Sequence, residues 1–294
     1  MDMRAVGAAL VTIVLWASAF VGIRAAGDEL SPGSLALGRL LVGSAALGVL
    51  MLIRREQLPG RRDLPGIVLC GVLWFGIYNV LLNEAEQRVD AGTAAMLINV
   101  GPVLIALLAG LLLQEGFPRS LMAGIVVAFS GAAVIGLATS DQGVAASWGA
   151  VLCLLAALAY AGGVVAQKPL LARVSALQVT FLACTVGAVT CLPFAPALTR
   201  DVKEASGSAI SWMVYLGVAP TALAFTTWAY ALKRTTAGRM GSTTYLVPPI
   251  AILMGWVILG ETPQALSYVG GALCLAGVVI ASRPPTRRLV AASR

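Results

Sequence analysis

Apolar runs of about twenty residues follow one another along almost the whole chain, and only short charged segments separate them. No other feature limits the fold as much. Ten such runs can be counted, near 5–25, 34–53, 65–83, 91–112, 119–138, 147–167, 175–195, 209–230, 240–259 and 267–282. A bilayer core about 30 Å thick needs roughly 17–25 helical residues, so each run is a candidate crossing. Of the 294 residues, 59% are hydrophobic and 11% charged, with a mean hydropathy of +0.90. A soluble domain carries about 25% charged residues, so the chain reads as a polytopic membrane protein. A cleaved leader would explain only the first run. Helices are the expected spanning element: lipid offers no partner to open backbone groups, and the runs are too long and too uniformly apolar for barrel strands.

The net charge of +7 could suggest a nucleic-acid partner, but the basic residues sit in short clusters between the runs and form no long patch. They act as topology signals instead. Fifteen fall on one side: Arg4, Arg54, Arg55, Arg61, Arg62, Arg119, Lys168, Arg173, Lys233, Arg234, Arg239 and the four arginines of the tail at 283–294. Four, Arg24, Arg88, Arg200 and Lys203, fall on the other, and Arg39 lies inside a run. The excess of positive charge predicts that both termini are cytoplasmic.

An internal offset organises the ten runs. Adding 146 carries Gly71 to Gly217, Arg88 to Arg234, Ala91 to Ala237, Gly92 to Gly238, Pro102 to Pro248, Glu115 to Glu261, Gly124 to Gly270 and Gly131 to Gly277. The reading is an all-α fold of ten transmembrane helices in two five-helix repeats, 5–138 and 147–282, followed by a basic cytoplasmic tail. An odd number of crossings per repeat inverts the second copy, which is a device for alternating access.

Within this frame the polar residues inside the runs are the functional candidates, because ionisable and polar groups are expensive in lipid. Asn79 and Asn83 share one face of the third run, and Asn99 stands just before Pro102. Carboxamides supply donors and acceptors to a neutral or zwitterionic solute, and inter-helix hydrogen bonds are their competing role. Trp16, Tyr78, Trp228 and Tyr245 could stack on a planar or apolar solute. Pro102, Pro248 and Pro249 lack an amide donor a few residues into their runs, so each predicts a kink, either as a cavity wall or hinge or as a plain bend. Arg39, Glu115 and Glu261 are read as structural: the arginine near an interface, although it could also reach an aqueous cavity or a substrate carboxylate, and the glutamates as caps or inter-helix ties.

What the chain lacks narrows the chemistry. It has no histidine, no aspartate-rich metal pair, no GxSxG elbow and no P-loop, so neither a metalloprotease nor an ATP-driven pump fits and no cofactor is expected. The five cysteines lie in apolar runs and read as packing thiols. An enzyme is not expected, since no nucleophile and base pair stands out.

The opening GAALVTIVLWASAFVGIRAA, the RLLVGSAALGVL segment and the paired ends PVLIALLAGLLLQE and PPIAILMGWVILGE resemble the drug/metabolite transporter superfamily. Within it the chain resembles bacterial EamA-type permeases, over about residues 5–282. WASAF at Trp16 carries an alanine where that family usually has glycine, and the second half keeps no matching tryptophan. The resemblance implies a bacterial inner-membrane carrier with a central cavity, exporting amino acids, of which aromatic or other apolar ones fit the ring-rich positions; an exporter or exchanger of another small metabolite or drug is the alternative, and a membrane scaffold or enzyme the alternative of another class. Its partners would be the small solute and the lipid bilayer, with no nucleic acid. The oligomeric state is left open, and a monomer would suffice. Glu86 lies near the outer end of the third run, and with no carboxylate in mid-run to carry a proton a facilitator is preferred to a proton antiporter.

Overall fold

The computed structural model describes residues 3–112, 119–140, 144–234, 240–241 and 243–281. Glu115 and the basic tail lie outside the described residues. Among those described, every regular element is helical: α1 (Met3–Ala26), α2 (Pro32–Arg54), α3 (Arg61–Glu86), α4 (Ala91–Leu112), α5 (Arg119–Ser140), α6 (Val144–Leu170), α7 (Ala176–Thr190), α8 (Ala195–Glu204), α9 (Gly207–Lys233), α10 (Thr244–Leu259) and α11 (Ala265–Ala281). Helix starts follow local chemistry. Asp90 accepts from the Thr93 amide at 2.8 Å, Ser175 and Gln178 form a capping box, and Ser206 accepts from the Ala209 amide.

Six helices, α1, α2, α3, α4, α6 and α9, are long and apolar enough to cross a bilayer; α7 and α8, bent by 51° at their junction, make a seventh if counted as one span. The apolar stretches Met122–Ile135, Thr244–Leu259 and Ala265–Ile280 occur where further crossings were expected but are shorter. Helix α8 corrects the sequence reading of its segment as a connection. TRDVKE looks like a loop, yet with Pro196 in its first turn it folds as a helix with one buried acid, Asp201. Outward faces are apolar: Leu52, Ile53, Leu112, Val126 and Val257 are all exposed, a belt that suits lipid rather than water.

Close packing follows the internal offset. A Cβ on Gly131 would come within 2.5 Å of the Cys274 amide nitrogen, and one on Gly277 within 2.4 Å of the Ala128 amide nitrogen. Likewise a Cβ on Gly71 would meet Val186 at 2.6 Å and the Ala183 carbonyl at 2.7 Å, while one on Gly217 would meet Val42 at 2.6 Å and the Arg39 carbonyl at 2.7 Å. Thus α3 sits on α7 as α9 sits on α2, and α5 and α11 exchange equivalent contacts. Only glycine lets these backbones approach so closely. The five cysteines are buried and unbridged.

Irregular backbone is paired in the same way. Helices α3 and α9 each contain a wide π turn, at Gly71–Ile77 and Gly217–Leu223. In α9 the cause is Pro220, which removes an amide donor and crowds the preceding turn. Thr221 donates to the Leu216 carbonyl at 2.7 Å, and in α3 Asn79 donates to the Phe75 carbonyl at 2.7 Å, so side chains satisfy carbonyls that the wide turns release. Helix α4 is interrupted between its segments Ala91–Ile98 and Gly101–Leu112, and α10 opens on a tight turn, Thr244–Leu246, before Val247–Met254. The prolines Pro102, Pro248 and Pro249 stand in the first turn after each irregularity.

Candidate functional site

Helices α1, α2, α3, α4, α6, α9 and α10 enclose a cavity of about 50 Å³. That is room for roughly three to five waters at about 10–15 Å³ each, well below the roughly 300–1,000 Å³ of small-molecule pockets. The site is therefore shut down around its own side chains, and a solute needs it to widen.

Rings form most of the wall. Trp16 of α1 lies 5.4 Å from Phe225 of α9, 6.0 Å from Trp74 of α3 and 6.5 Å from Tyr160 of α6, all edge to face. Tyr78 lies 6.1 Å from Tyr160. Glycines seat two of these rings: a Cβ on Gly101 would strike Tyr160 at 2.5 Å, and one on Gly163 would strike Trp74 at 2.4 Å. A wall of aromatic rings suits an apolar side chain or an ammonium group.

The unpartnered polar groups on the wall can all donate a hydrogen bond. Arg39 is 3% exposed; its Nε and Nη2 donate to the Thr221 hydroxyl at 3.2 and 3.1 Å, and none of the ion pairs among the described residues includes it. Asn99 ends the first segment of α4, with its Oδ1 accepting from Thr244 at 3.3 Å and its buried Nδ2 without a partner. The Trp16 Nε1 and Tyr160 hydroxyl are also buried without partners. Each unsatisfied group is a hydrogen-bond donor, next to one guanidinium.

Trp16, Tyr78 and Asn99 thus come together at the cavity, joined by Arg39. Trp228 stands behind the wall, fully buried and 4.9 Å from Trp16. Asn79, Asn83 and Tyr245 lie elsewhere: Asn79 serves the π turn of α3, Asn83 donates to the Pro32 carbonyl at 3.0 Å, and Tyr245 donates to the Val278 carbonyl at 3.0 Å. Pro102 and Pro248 are buried beside the wall without lining the cavity, and Pro249 is exposed. Glu261 ties α10 to α1 through Arg24, Nε to Oε1 at 2.8 Å. Tyr160 and Thr244 are wall residues that sequence reasoning passed over; Gly101, which seats the Tyr160 ring, lies beside Asn99 in the sequence but does not name its partner.

Each end of the bundle is latched. At one end Ser31 and Ser34 donate to Asp201 at 2.6 Å each, Glu29 accepts from the Ser206 amide and hydroxyl, and Arg24 also donates to the Glu86 carbonyl at 3.0 Å. Burial pushes the Asp201 carboxyl up, but the donors from Ser31, Ser34 and Arg200 outweigh it and hold the group at about 2. At the other end Arg173 pairs with Asp63 at 2.7 Å and Lys168 donates to the Leu232 carbonyl at 2.9 Å.

Helices of spanning length around a central, donor-lined cavity define a polytopic membrane protein built to hold a small solute. Comparison with known proteins gives the family. The EamA-like transporter family matches residues 3–137 and again 147–283, and the chain belongs to it. A probable terminal-alkyne amino-acid exporter of Streptantibioticus cattleyicolor is 41% identical over 95% of this chain and 94% of its own length. A probable amino-acid metabolite efflux pump of Salmonella typhimurium is 25% identical over 92% of each chain. A solved crystal structure superposes with a TM-score of 0.69 at 20% identity, covering 98% of this chain and all of its own, which supports the fold alone.

Proposed function

We propose that this membrane transporter exports amino acids with aromatic or other apolar side chains, holding them at the cavity around Arg39. One observation carries the reading: every unsatisfied polar group on the wall is a donor and the one charge there is a guanidinium, the complement of an α-carboxylate. The rings of Trp16, Trp74, Tyr78, Tyr160 and Phe225 would take the side chain. The names of the Streptantibioticus and Salmonella relatives support amino acids as cargo, and an alkyne side chain shares the slender, π-rich character that such a cage suits.

In this reading Arg39 binds substrate and is not an interfacial residue, Trp16, Tyr78 and Asn99 bind with it, and Asn79, Asn83 and Trp228 support the wall. Ten crossings form two inverted five-helix repeats, 5–138 and 147–282, that rock about the cavity; the double family match, the reciprocal glycine contacts and the paired π turns support it. The irregular backbone at Asn99 and Thr244, before Pro102 and Pro248, supplies the moving wall. The charge bias places both termini in the cytoplasm of a bacterial inner membrane.

Counterflow in proteoliposomes tests this. With no ion gradient and internal unlabelled amino acids, labelled phenylalanine, leucine and an alkyne-bearing amino acid are expected to enter saturably and unchanged. Absence of exchange for every amino acid tried would refute the substrate class, and chemical change of the solute would point to an enzyme.

A further inference from the structure

We propose that Glu86, at the end of α3, is the coupling site of this carrier: its carboxyl group holds either a proton or the ammonium of the transported amino acid, never both. Export is then exchanged for a proton, and this role builds on the amino-acid reading above.

Glu86 is 1% exposed, and both of its carboxylate oxygens are buried without a hydrogen-bond partner. A buried carboxylate with no donor is too expensive to persist, so the group must take up a proton or a cation. The cations around it are committed elsewhere. Arg24 of α1 gives its Nε to Glu261 and its Nη1 to the Glu86 backbone carbonyl, leaving the carboxyl group itself aside. Arg39 of α2 is held by Thr221. The other titratable groups facing Glu86 are Glu261 after α10, Asp90 at the start of α4, Cys153 of α6 and Tyr78 on its own helix. None of these can donate a positive charge to it.

Position supplies the link to transport. Leu82 lines the cavity, and Glu86 follows it by one turn on the same face of α3, with Tyr78 one turn before. Arg39 lines the same cavity as Leu82 and Tyr78. A zwitterion whose carboxylate sits on Arg39 therefore has its ammonium on the Glu86 side once the cavity widens past Leu82. In the cycle an external proton adds to the Glu86 carboxylate, and the empty site, its carboxyl now neutral beside the Arg39 guanidinium, turns to the cytoplasm. There an entering ammonium displaces the proton to the cytoplasmic water, and the loaded site turns outward. One proton enters for each zwitterion that leaves, so each cycle carries one positive charge inward. The sequence reading prefers a facilitator to a proton antiporter because it finds no carboxylate in mid-run and places Glu86 near the outer end of its helix; the proposal takes the antiporter instead.

The test uses full-length carrier in proteoliposomes with labelled L-phenylalanine. In wild type, an acid-inside pH gradient is expected to raise uptake several-fold over the level without a gradient. Glu86→Gln is expected to keep phenylalanine counterflow at a raised KM and to lose the response to the gradient. A wild type indifferent to the gradient, or an E86Q variant still driven by it, would overturn the proposal. A second readout needs neither the variant nor transport: dicyclohexylcarbodiimide attacks protonated carboxyls in apolar surroundings, so peptide mass spectrometry of treated wild type is expected to find the adduct on Glu86, and added phenylalanine is expected to reduce it. No adduct on Glu86 would overturn the proposal even if wild type exchanged no amino acid, an outcome that by itself refutes only the substrate reading.

Discussion

Helices α3 and α9 have nearly the same backbone and opposite chemistry. Both carry a wide turn at positions 146 apart, both lay a glycine against the same part of a partner helix, and both use a side chain to satisfy the loosened carbonyls. Yet Tyr78, Asn79, Asn83 and Glu86 of α3 correspond to Ala224, Phe225, Ala229 and Leu232 of α9, and Arg39 of α2 corresponds by contact to Ala183 of α7. In the proposed reading the duplicated backbone serves movement, and charge placed in one copy serves binding. A symmetric site would offer a zwitterion the same group at each end, whereas this one offers different groups.

The largest expected effect falls on the shared backbone. Gly277→Val forces a side chain into the Ala128 backbone and is expected to remove folded protein or to destabilise it by about 1–3 kcal/mol, as overpacking does. Gly131→Val should do the same, measured by thermal unfolding in detergent; tolerance of one and not the other would break the equivalence. Next in size is the chemical asymmetry. Arg39→Ala is expected to reduce phenylalanine counterflow at least tenfold, about 1.4 kcal/mol, while Ala183→Ser at the corresponding contact changes it less than about twofold.

A finer comparison separates support from recognition. Asn79→Ala and Thr221→Ala each remove a side chain that serves a wide turn, and both are expected to destabilise by about 1 kcal/mol. Only Thr221→Ala should also raise the KM, because Thr221 holds Arg39. The smallest effect belongs to the latch at Asp201. With its folded pKa at about 2 and an unfolded value near 3.9, its contribution is fully present above about pH 4 and is lost as pH falls through about 2. Thermal unfolding of wild type should lose that increment over this window, and Asp201→Asn should show no such titration step.

Much of this was legible in the sequence because lipid makes the rules strict. Long apolar runs can only be helices, and glycines at a constant offset announce the backbone contacts. Trp16, Tyr78 and Asn99 could be singled out because they interrupt apolar surroundings. What escaped depends on rotation about a helix axis. Asn79 and Asn83 are as polar as Asn99, yet they turn to backbone carbonyls. The wide turn in α3 shifts the register of every residue beyond it, and no pattern of residue types in GVLWFGI reveals that turn. The setting of Arg39 was hidden for a related reason: its place about one turn into a run suggested an interface, but its guanidinium meets Thr221 of the opposite half, a partner that only the folded chain brings near. Helix α8 escaped because a short polar helix and a polar loop have the same composition.

The most direct test is competition at Arg39. In counterflow with labelled phenylalanine, 3-phenylpropionate, which keeps the carboxylate, is expected to compete with wild type far better than phenethylamine, which lacks it, and Arg39→Gln is expected to abolish that preference. Equal competition by the two compounds in wild type, or an unchanged preference in the variant, would contradict a carboxylate site at Arg39.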